Sequence, residues 1–202
     1  MIVGILLAAG TASRFGGDKL LQPLPDGTPI GVAAARSLLR GVDRGVAVVR
    51  AEDEELARLL SAEGMRVEAC QNAAQGMGAS LAYGVSTMRD AKGWLIALAD
   101  MPFIQAETTR GVAHLIEKGA PIAAPFHRGK RGHPVGFSRD FYAALSGLQG
   151  DCGARDLLAA HAARIRPLHC DDPGILTDVD TPLDLARSSA RPQSSPGLLH
   201  AE

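Results

Sequence analysis

The sequence predicts an α/β protein with a mostly parallel sheet. Short apolar runs alternate with segments in which apolar residues recur every three to four positions, and this alternation covers most of the 202 residues. The apolar runs are continuous, which is typical of strands that are buried on both faces. A chain of this length typically forms one domain with a substantial core. We therefore expect helices on both faces of a central sheet.

The first two thirds of the chain follow this pattern. Five apolar runs are predicted strands, at residues 2–8, 45–49, 66–69, 94–98 and 122–124. Helices are predicted between them, around residues 30–40, 53–63, 78–89 and 107–118. In the second helix, Leu56, Leu59 and Leu60 have the spacing of one helical face. Ligands of such sheets bind beyond the carboxyl ends of the strands, so the loops that follow the strands are the candidate site.

From about residue 125 the pattern changes. Residues 127–132 form a polar, basic, glycine-rich connector, and residues 133–137 are predicted as an antiparallel strand added at the sheet edge. A helix over 153–161, a strand over 165–169 and a helix over 182–187 are predicted to follow. Beyond residue 187 the chain is rich in Ser and Pro, so we expect a single domain over 1–187 and a loose tail over 188–202.

The composition argues against several classes of protein. A net charge of −1 provides no basic surface for nucleic acid, and an aromatic content of 4% argues against base-stacking platforms. Cys70, Cys152 and Cys170 are odd in number and form no C-x-x-C pair, which argues against a disulfide framework and a zinc site. The N-terminus has neither a basic leader region nor an apolar span of about 18 residues. We expect a cytoplasmic protein that binds neither nucleic acid nor membrane.

The loop after the first strand is the first candidate site. It combines three glycines, two cations and a small hydroxyl, at Gly10, Gly16, Gly17, Arg14, Lys19 and Ser13. Glycine lets backbone N–H groups approach an anion closely, and Arg and Lys add charge-assisted hydrogen bonds to phosphate. The spacing matches neither the P-loop nor the dinucleotide-binding motif. The alternative is a glycine-rich turn with solvated charges, but two cations among the glycines favour a phosphate site.

A carboxylate follows the predicted strand at residues 94–98. Asp100 comes directly after this strand, and Pro102 prevents its continuation. The position lies at the same sheet edge as the glycine-rich loop, where a carboxylate oxygen is suited to Mg²⁺. The alternative is that Asp100 caps the helix beginning near Gln105 or stabilises the turn between them.

Two more carboxylates precede the last predicted helix. Asp178 and Asp180 lie on one face of an extended segment, because side chains alternate with a period of two. Both are therefore candidates to face one ligand. The same segment also has the signature of a helix start, with Asp180 or Thr181 as N-cap and Pro182 as the first helical residue. One residue of this segment can cap the helix while another faces the ligand.

Two other segments carry weaker signals. Residues 75–81 begin a helix near Gly78, and the free N–H groups of a helix N-terminus suit an anion or a base edge, although Ser80 has an ordinary first-turn role as its alternative. The basic loop at 127–133 suits closure over an acidic substrate. Lys130 there is better explained as a solvated cation, whereas the flanking glycine and proline fix the backbone around His133.

The segment at 150–155 has three candidate residues. Asp151 is predicted as the N-cap of the following helix. Arg155 is within reach of a phosphate, with an ordinary exposed helix arginine as the alternative. Cys152 is a candidate reactive thiol, since a helix start favours the thiolate.

Six segments together resemble the molybdenum cofactor cytidylyltransferases, and they occur in that family's order up to about residue 188. They are Leu7-Ala-Ala-Gly-x-x-Ser-Arg-Phe-Gly-Gly-x-Lys19, Gln75-Gly-Met-Gly-Ala-Ser80, Leu98-Ala-Asp-Met-Pro102, Arg131-Gly-His-Pro-Val135, Gly150-Asp-x-Gly-Ala-Arg155 and Asp178-Val-Asp-Thr-Pro182. The resemblance implies a Rossmann-like three-layer nucleotidyltransferase fold. It also suggests cytidine rather than guanosine, because guanylyl-transferring relatives usually have Ala-Gly-Gly where this chain has Ala-Ala-Gly.

The resemblance also implies roles for individual residues. Asp100 and Asp180 would bind Mg²⁺ or Mn²⁺, with Asp178 as a neighbour, and His133 and Arg155 would lie toward the pterin substrate. The implied catalytic residues are Arg14, Lys19, Asp100 and Asp180. The implied nucleotide-binding residues are Leu7, Ala8, Ala9, Gly10, Ser13, Arg14, Lys19, Gly78, Ser80 and Asp100.

The implied reaction is transfer of CMP from CTP to the terminal phosphate of molybdenum-loaded molybdopterin, with release of pyrophosphate. A molybdenum hydroxylase apoenzyme is a candidate partner. Alternatives with the same fold are guanylyl transfer to the cofactor and nucleotidyl transfer to a sugar or polyol phosphate. Alternatives of other classes are a non-catalytic maturation or delivery factor, against which Lys19, Asp100 and Asp180 argue, and an NAD(P)H-dependent reductase, against which the missing dinucleotide motif argues.

Overall fold

Within residues 1–10 and 18–189, which a computed structural model describes, eight strands form one sheet. Side chains are described up to residue 185. The strands are β1 (Ile2–Leu7), β2 (Arg44–Arg50), β3 (Arg66–Cys70), β4 (Gly93–Leu98), β5 (Ile122–His127), β6 (Lys130–Arg131), β7 (Val135–Ser138) and β8 (Ile165–His169). Their order is β3-β2-β1-β4-β7-β5-β6, and β8 pairs with β5.

Helices cover both faces of this sheet. In the same described residues they are α1 (Ile30–Leu39), α2 (Glu54–Ala62), α3 (Met77–Thr87), α4 (Ala106–Glu117), α5 (Tyr142–Ser146), α6 (Arg155–Ala160) and α7 (Pro182–Ser189). One core packs α1, α2 and α4 on the sheet, and the other packs α3, α5 and α6 on the opposite face. In β1, Ile2 and Leu6 belong to the first core, whereas Val3 and Ile5 belong to the second. This double burial explains why the apolar runs are continuous.

The α/β class, the mostly parallel sheet and all the predicted helices and strands are confirmed, with one misplaced strand. The strand predicted at 133–137 for the sheet edge is β7, and it lies between β4 and β5. It pairs antiparallel with both neighbours, through Ile96↔Val135 and Ile122↔Phe137. An inner position covers both sides of its backbone, in keeping with three buried residues out of four.

Two other differences concern the end of the chain. Helix α5 was not predicted, because its five residues are too few to show a helical period. Helix α7 continues to Ser189, beyond the predicted end of this helix at 187, and residues 190–202 of the predicted tail lie outside the described residues. All three cysteines are free thiols, and no helix in the described part of the chain is long and apolar enough to cross a membrane.

The topology brings the ends of three strands to one edge. β1 pairs parallel with both β2 and β4, with Leu7 opposite Val48 on one side and opposite Leu98 on the other. The chain continues this pairing past the strands, since Ala8 N–H donates to the Val48 carbonyl and Ala99 N–H donates to the Leu7 carbonyl. The residues that follow β1, β2 and β4 therefore meet at the same place.

Candidate active site

Lys19 connects the two carboxylates that the sequence singles out for metal binding. Its Nζ lies 2.9 Å from Asp100 Oδ2 and 3.1 Å from Asp180 Oδ1. The two aspartates are 81 and 161 residues away from Lys19 in the sequence. Three parts of the chain therefore converge on one ammonium group.

The environment of Lys19 keeps its ammonium group charged. The side chain is 12% exposed, and burial alone would lower its pKa. The hydrogen bonds and negative charges of Asp100 and Asp180 outweigh burial, so the pKa of Lys19 is raised. Asp100 Oδ1 is buried and has no hydrogen-bond partner among the described residues. One oxygen of this carboxylate is therefore left to accept from a ligand.

The position of Asp180 is set by the backbone on both sides of it. Val179 N–H donates to the Asp100 carbonyl at 2.9 Å. Helix α7 begins directly afterwards with a reciprocal cap, in which Thr181 N–H donates to Asp184 Oδ2 at 2.8 Å and Asp184 N–H donates to Thr181 Oγ1 at 3.2 Å. Of the two predicted N-cap candidates, Thr181 is the N-cap, and Pro182 is the first helical residue, as predicted. The backbone N–H of Asp180 also donates to Asp184 Oδ2, at 3.3 Å, whereas the Asp180 side chain accepts from Lys19.

Lys19, Asp100 and Asp180 line a cleft of about 610 Å³ at the carboxyl edge of the sheet. We call it the active-site cleft. Seven of its described lining residues are carboxylates and two are cations, so the described wall is strongly acidic. The described lining is Leu7, Ala8, Gly10, Asp18, Lys19, Leu20, Leu21, Arg50, Glu52, Asp53, Glu54, Glu55, Leu56, Ala99, Asp100 and Asp180.

Arg50 and the acidic residues that follow it were not predicted from the sequence as part of the site. Arg50 is the last residue of β2, and its guanidinium binds Asp53 in a bidentate pair at 2.9 and 2.7 Å. The hydrogen bonds that Arg50 donates to Asp53 raise the pKa of Arg50 against the opposing effect of burial. The sequence did contain a signal for Arg50, because this residue directly follows the strand predicted at 45–49. A charged residue at the carboxyl end of a strand is a site candidate for the same reason as Asp100.

The described part of the glycine-rich loop lies partly in the cleft. Leu7, Ala8 and Gly10 line it, whereas Ala9 is 7% exposed and does not. A Cβ at Gly10 would meet no atom of the described residues within 4 Å. The predicted phosphate ligands Ser13 and Arg14 lie outside the described residues.

The predicted nucleoside residues on α3 are not among the residues that line this cleft. Gly78 and Ser80 are buried, on the sheet face that carries α5 and α6, and neither lines the active-site cleft. Gly78 N–H donates to the Gly150 carbonyl at 2.7 Å, and a Cβ at Gly78 would lie 2.6 Å from the Gln149 carbonyl oxygen. Close packing against this loop therefore explains the glycine. Their contact with a nucleoside stays a prediction.

The segment at 150–155 differs from one prediction. Asp151 is not the N-cap of α6, which begins at Arg155 with Ala154 in the cap position and no side-chain cap. The Asp151 carboxylate lies instead against the backbone of Gly76, just before α3. Arg155 is exposed and makes no ion pair with the described residues, and Cys152 is exposed. Asp178 is also exposed and forms no ion pair within the described part of the chain.

His133 lies between β6 and β7, close to the end of β4. The residue as a whole is partly exposed, but its Nδ1 is buried and has no hydrogen-bond partner among the described residues. Burial lowers the pKa of His133 below its ordinary value of 6.5; the Ile96 carbonyl and the Asp100 carboxylate oppose this shift, and the charge of Arg131 adds to it. The imidazole is therefore neutral at pH 7.

The lowered pKa of His133 predicts a loss of stability in acid. The unfolded chain takes up the proton first, so the free energy of unfolding falls as the pH drops below 6.5 toward the folded-state pKa. We expect the melting temperature of the wild type to fall more between about pH 7 and pH 5 than that of His133→Gln. His114→Gln, an exposed histidine on α4, is the control and should follow the wild type. Parallel curves for the wild type and His133→Gln would refute the prediction.

The chemistry of the site suits a divalent cation. Asp100 and Asp180 supply oxygen ligands, and Asp100 keeps a buried oxygen that no other described residue contacts with a hydrogen bond. The Lys19 ammonium shows that a positive charge is stable between the two carboxylates. No group of three or more His, Cys, Asp or Glu side chains suited to a metal occurs among the described residues. Mg²⁺ commonly binds one or two carboxylates and completes its shell with water and substrate phosphates.

Known proteins are similar to this chain over most of its length. The model of a family described as "MobA-like NTP transferase domain" matches residues 4–165. The purine catabolism protein PucB of Bacillus subtilis is 30% identical, over 90% of this chain and 92% of its own. The nicotine blue oxidoreductase of Paenarthrobacter nicotinovorans is 29% identical, over 89% and 92%. A molybdenum cofactor guanylyltransferase of Cupriavidus pinatubonensis is also 29% identical, over 89% and 92%.

Solved structures share the fold over nearly the whole chain. The crystal structure of Rv0371c from Mycobacterium tuberculosis superposes with a TM-score of 0.80 at 26% identity, covering 94% of this chain and 97% of that one. The same Mycobacterium tuberculosis protein in complex with manganese gives a TM-score of 0.75 at 24% identity, with 93% and 97% coverage.

Proposed function

The chain belongs to the MobA-like NTP transferase family, and on that basis we propose that it transfers CMP from CTP to the terminal phosphate of the molybdenum–molybdopterin cofactor. The observation that supports nucleotidyl transfer most directly is the contact of Lys19 with both Asp100 and Asp180 at the edge of the cleft. Charge neutralisation and positioning are what phosphoryl-type transfer requires of a protein.

The proposed reaction needs no nucleophile from the enzyme. A terminal phosphate oxygen of the cofactor attacks the α-phosphorus of CTP and forms a new P–O bond. The bond between the α-phosphorus and the bridging oxygen breaks, and its electrons leave with pyrophosphate. The protein has to hold the two phosphates in line and stabilise the charge that develops on the leaving group.

Lys19 supplies one of these functions. Its ammonium group has three donors, and two of them contact Asp100 and Asp180. Donation to the triphosphate oxygens would offset charge on the leaving pyrophosphate, and Arg14 of the same loop is proposed to share this role.

A divalent cation is needed in a cleft of this composition. The described wall holds seven carboxylates, so a triphosphate would meet repulsion without additional positive charge. Asp100 and Asp180 would hold Mg²⁺ or Mn²⁺, which when bound supplies Lewis-acid neutralisation of the phosphate oxygens. The manganese complex of a structural neighbour supports this choice of ions.

The remaining proposed roles concern the two substrates. Leu7, Ala8, Ala9, Gly10 and Ser13 would contact the nucleotide, with Gly78 and Ser80 on its nucleoside. The Ala8-Ala9-Gly10 sequence supports cytidine. Neutral His133, near Asp100, and exposed Arg155 are proposed to contact the pterin substrate, because an imidazole nitrogen and a guanidinium that have no partner among the described residues are suited to polar groups. A molybdenum hydroxylase apoenzyme is the proposed recipient of the product.

Release of pyrophosphate from four nucleotides tests the proposal. Purified protein, Mg²⁺ and molybdenum-loaded molybdopterin are incubated with CTP, GTP, ATP or UTP, and pyrophosphate is measured with and without the cofactor. We expect release that depends on the cofactor, with kcat/KM for CTP at least about tenfold above that for GTP. Thermal shift with each nucleotide reports binding separately, since a bound nucleotide raises the melting temperature. Failure of all four nucleotides to release pyrophosphate would overturn the proposal.

A second candidate is transfer of GMP to the same cofactor. The similarity to a molybdenum cofactor guanylyltransferase favours it. Release of pyrophosphate from GTP and not from CTP would select this function.

The nicotine blue oxidoreductase relative makes NAD(P)H oxidation worth measuring in the same preparations. Co-purification with a hydroxylase in the absence of pyrophosphate release would instead favour a maturation or delivery factor.

A further inference from the structure

Asp172 is a buried carboxylate outside the active-site cleft. It is 1% exposed, and no cationic side chain of the described residues forms an ion pair with it. It accepts three hydrogen bonds instead: Oδ2 from Gln105 N–H at 2.9 Å and from the Thr108 hydroxyl at 2.7 Å, and Oδ1 from Gly174 N–H at 2.9 Å. Burying a carboxylate is costly unless its oxygens are satisfied, and both are satisfied here.

The three donors belong to two different segments. Gln105 and Thr108 lie at the start of α4, a few residues after Asp100. Gly174 lies in the 3₁₀ turn Pro173–Leu176, a few residues before Asp180. The Asp172 side chain therefore joins the segment that follows the first proposed metal ligand to the segment that precedes the second.

Other contacts show that the two segments are fitted closely. A Cβ at Gly174 would collide with the Phe103 carbonyl oxygen, and Ile175 packs with Met101 and Ile104. Nearer the site, Val179 N–H donates to the Asp100 carbonyl. These backbone and apolar contacts hold the 172–180 segment against the residues that follow Asp100. Among the described residues, Asp172 alone adds a pair of side-chain hydrogen bonds from this segment to the start of α4.

We propose that Asp172 is a positioning residue, which sets the separation of the Asp100 and Asp180 carboxylates by joining their two segments. The inference rests on the proposed function, because it concerns the same metal-binding pair. Asp172 does not touch the cleft. It acts through the backbone, and loss of its hydrogen bonds would let the 172–180 segment move relative to Asp100.

Asp172→Asn is the direct test. Asparagine has the same shape, but in either orientation its amide N–H₂ group faces a backbone donor, Gly174 N–H or Gln105 N–H, so the set of three accepted hydrogen bonds cannot be kept. Mn²⁺ is titrated into the protein, with and without CTP, and followed by electron paramagnetic resonance. We expect the Kd for Mn²⁺ to rise about tenfold or more, as for other changes behind metal ligands. A purely structural role would lower the melting temperature and leave the Kd of the folded protein unchanged.

Thr108 provides a second pair of variants in case Asp172→Asn does not fold. Thr108→Val removes one hydroxyl donor at nearly constant shape and should weaken Mn²⁺ binding by a smaller factor, whereas Thr108→Ser keeps the donor and should restore wild-type binding. Asp43→Asn is the matched control, because Asp43 also accepts a backbone N–H, from Ile2, but at the start of β1.

The outcomes separate the two proposals. Folded Asp172→Asn and Thr108→Val proteins that bind Mn²⁺ as the wild type does would overturn the role of Asp172. A wild type that binds Mn²⁺ but releases no pyrophosphate would overturn the proposed reaction and leave the comparison of variants standing. A wild type that binds Mn²⁺ neither alone nor with CTP would overturn both.

Discussion

Replacing Lys19 with methionine is expected to lower kcat/KM for pyrophosphate release about 10³-fold, the size of effect found when one preorganised donor to a developing charge is removed. The same change should act in the opposite direction on metal binding. Without the Lys19 ammonium group between Asp100 and Asp180, Mn²⁺ no longer competes with it for these two carboxylates. Its Kd should therefore fall, which electron paramagnetic resonance can measure.

The Lys19 experiment can be carried out at ordinary pH. Because the pKa of Lys19 is raised above 10.5, its ion pairs contribute fully below that value and are lost only as the pH rises through the higher folded-state pKa. Lys118→Met, an exposed lysine after α4, is the control and should leave both activity and Mn²⁺ binding unchanged. A Lys19→Met protein that keeps its activity would exclude Lys19 from the catalytic machinery.

Replacing the two carboxylates one at a time should show that they are unequal. We expect Asp100→Asn to lose about 10³-fold in kcat/KM and Asp180→Asn about 10²-fold, because an interaction in a less solvated place is stronger. The Asp100 side chain is 26% exposed and that of Asp180 is 44% exposed. Activity should be measured over a range of Mg²⁺ concentrations, since both variants are expected to need more metal.

Asp178→Asn is the matched control for these two variants. Asp178 is exposed and lies two residues from Asp180, so it changes the local charge equally without touching Lys19. It should retain wild-type activity and the wild-type dependence on Mg²⁺. Loss of activity in Asp178→Asn equal to that in Asp180→Asn would mean that the net charge of the segment matters, and not the contact with Lys19.

Much of the fold followed from local patterns. Continuous apolar runs identified the buried strands, and the three-to-four-residue spacing of leucines identified helices such as α2. Two features had no such signal. Helix α5 is too short to show a period, and β7 was placed at the edge because its position in the chain says nothing about which strands it pairs with. Strand pairing depends on contacts between distant residues, which periodicity does not encode.

The sequence by itself determined the kinds of groups at the site: a glycine-rich loop with cations after β1, and carboxylates after β4 and before α7. Only the tertiary structure decided that Lys19 contacts Asp100 and Asp180 and not Asp178, that Arg50 shares the cleft, and that Asp172 joins the segments behind the two carboxylates. The physical reason is that the type of a residue is given at its own position in the sequence, whereas the distance between two side chains depends on how the whole chain folds. Parallel pairing of β1 with β2 and β4 brings together side chains that are far apart along the chain.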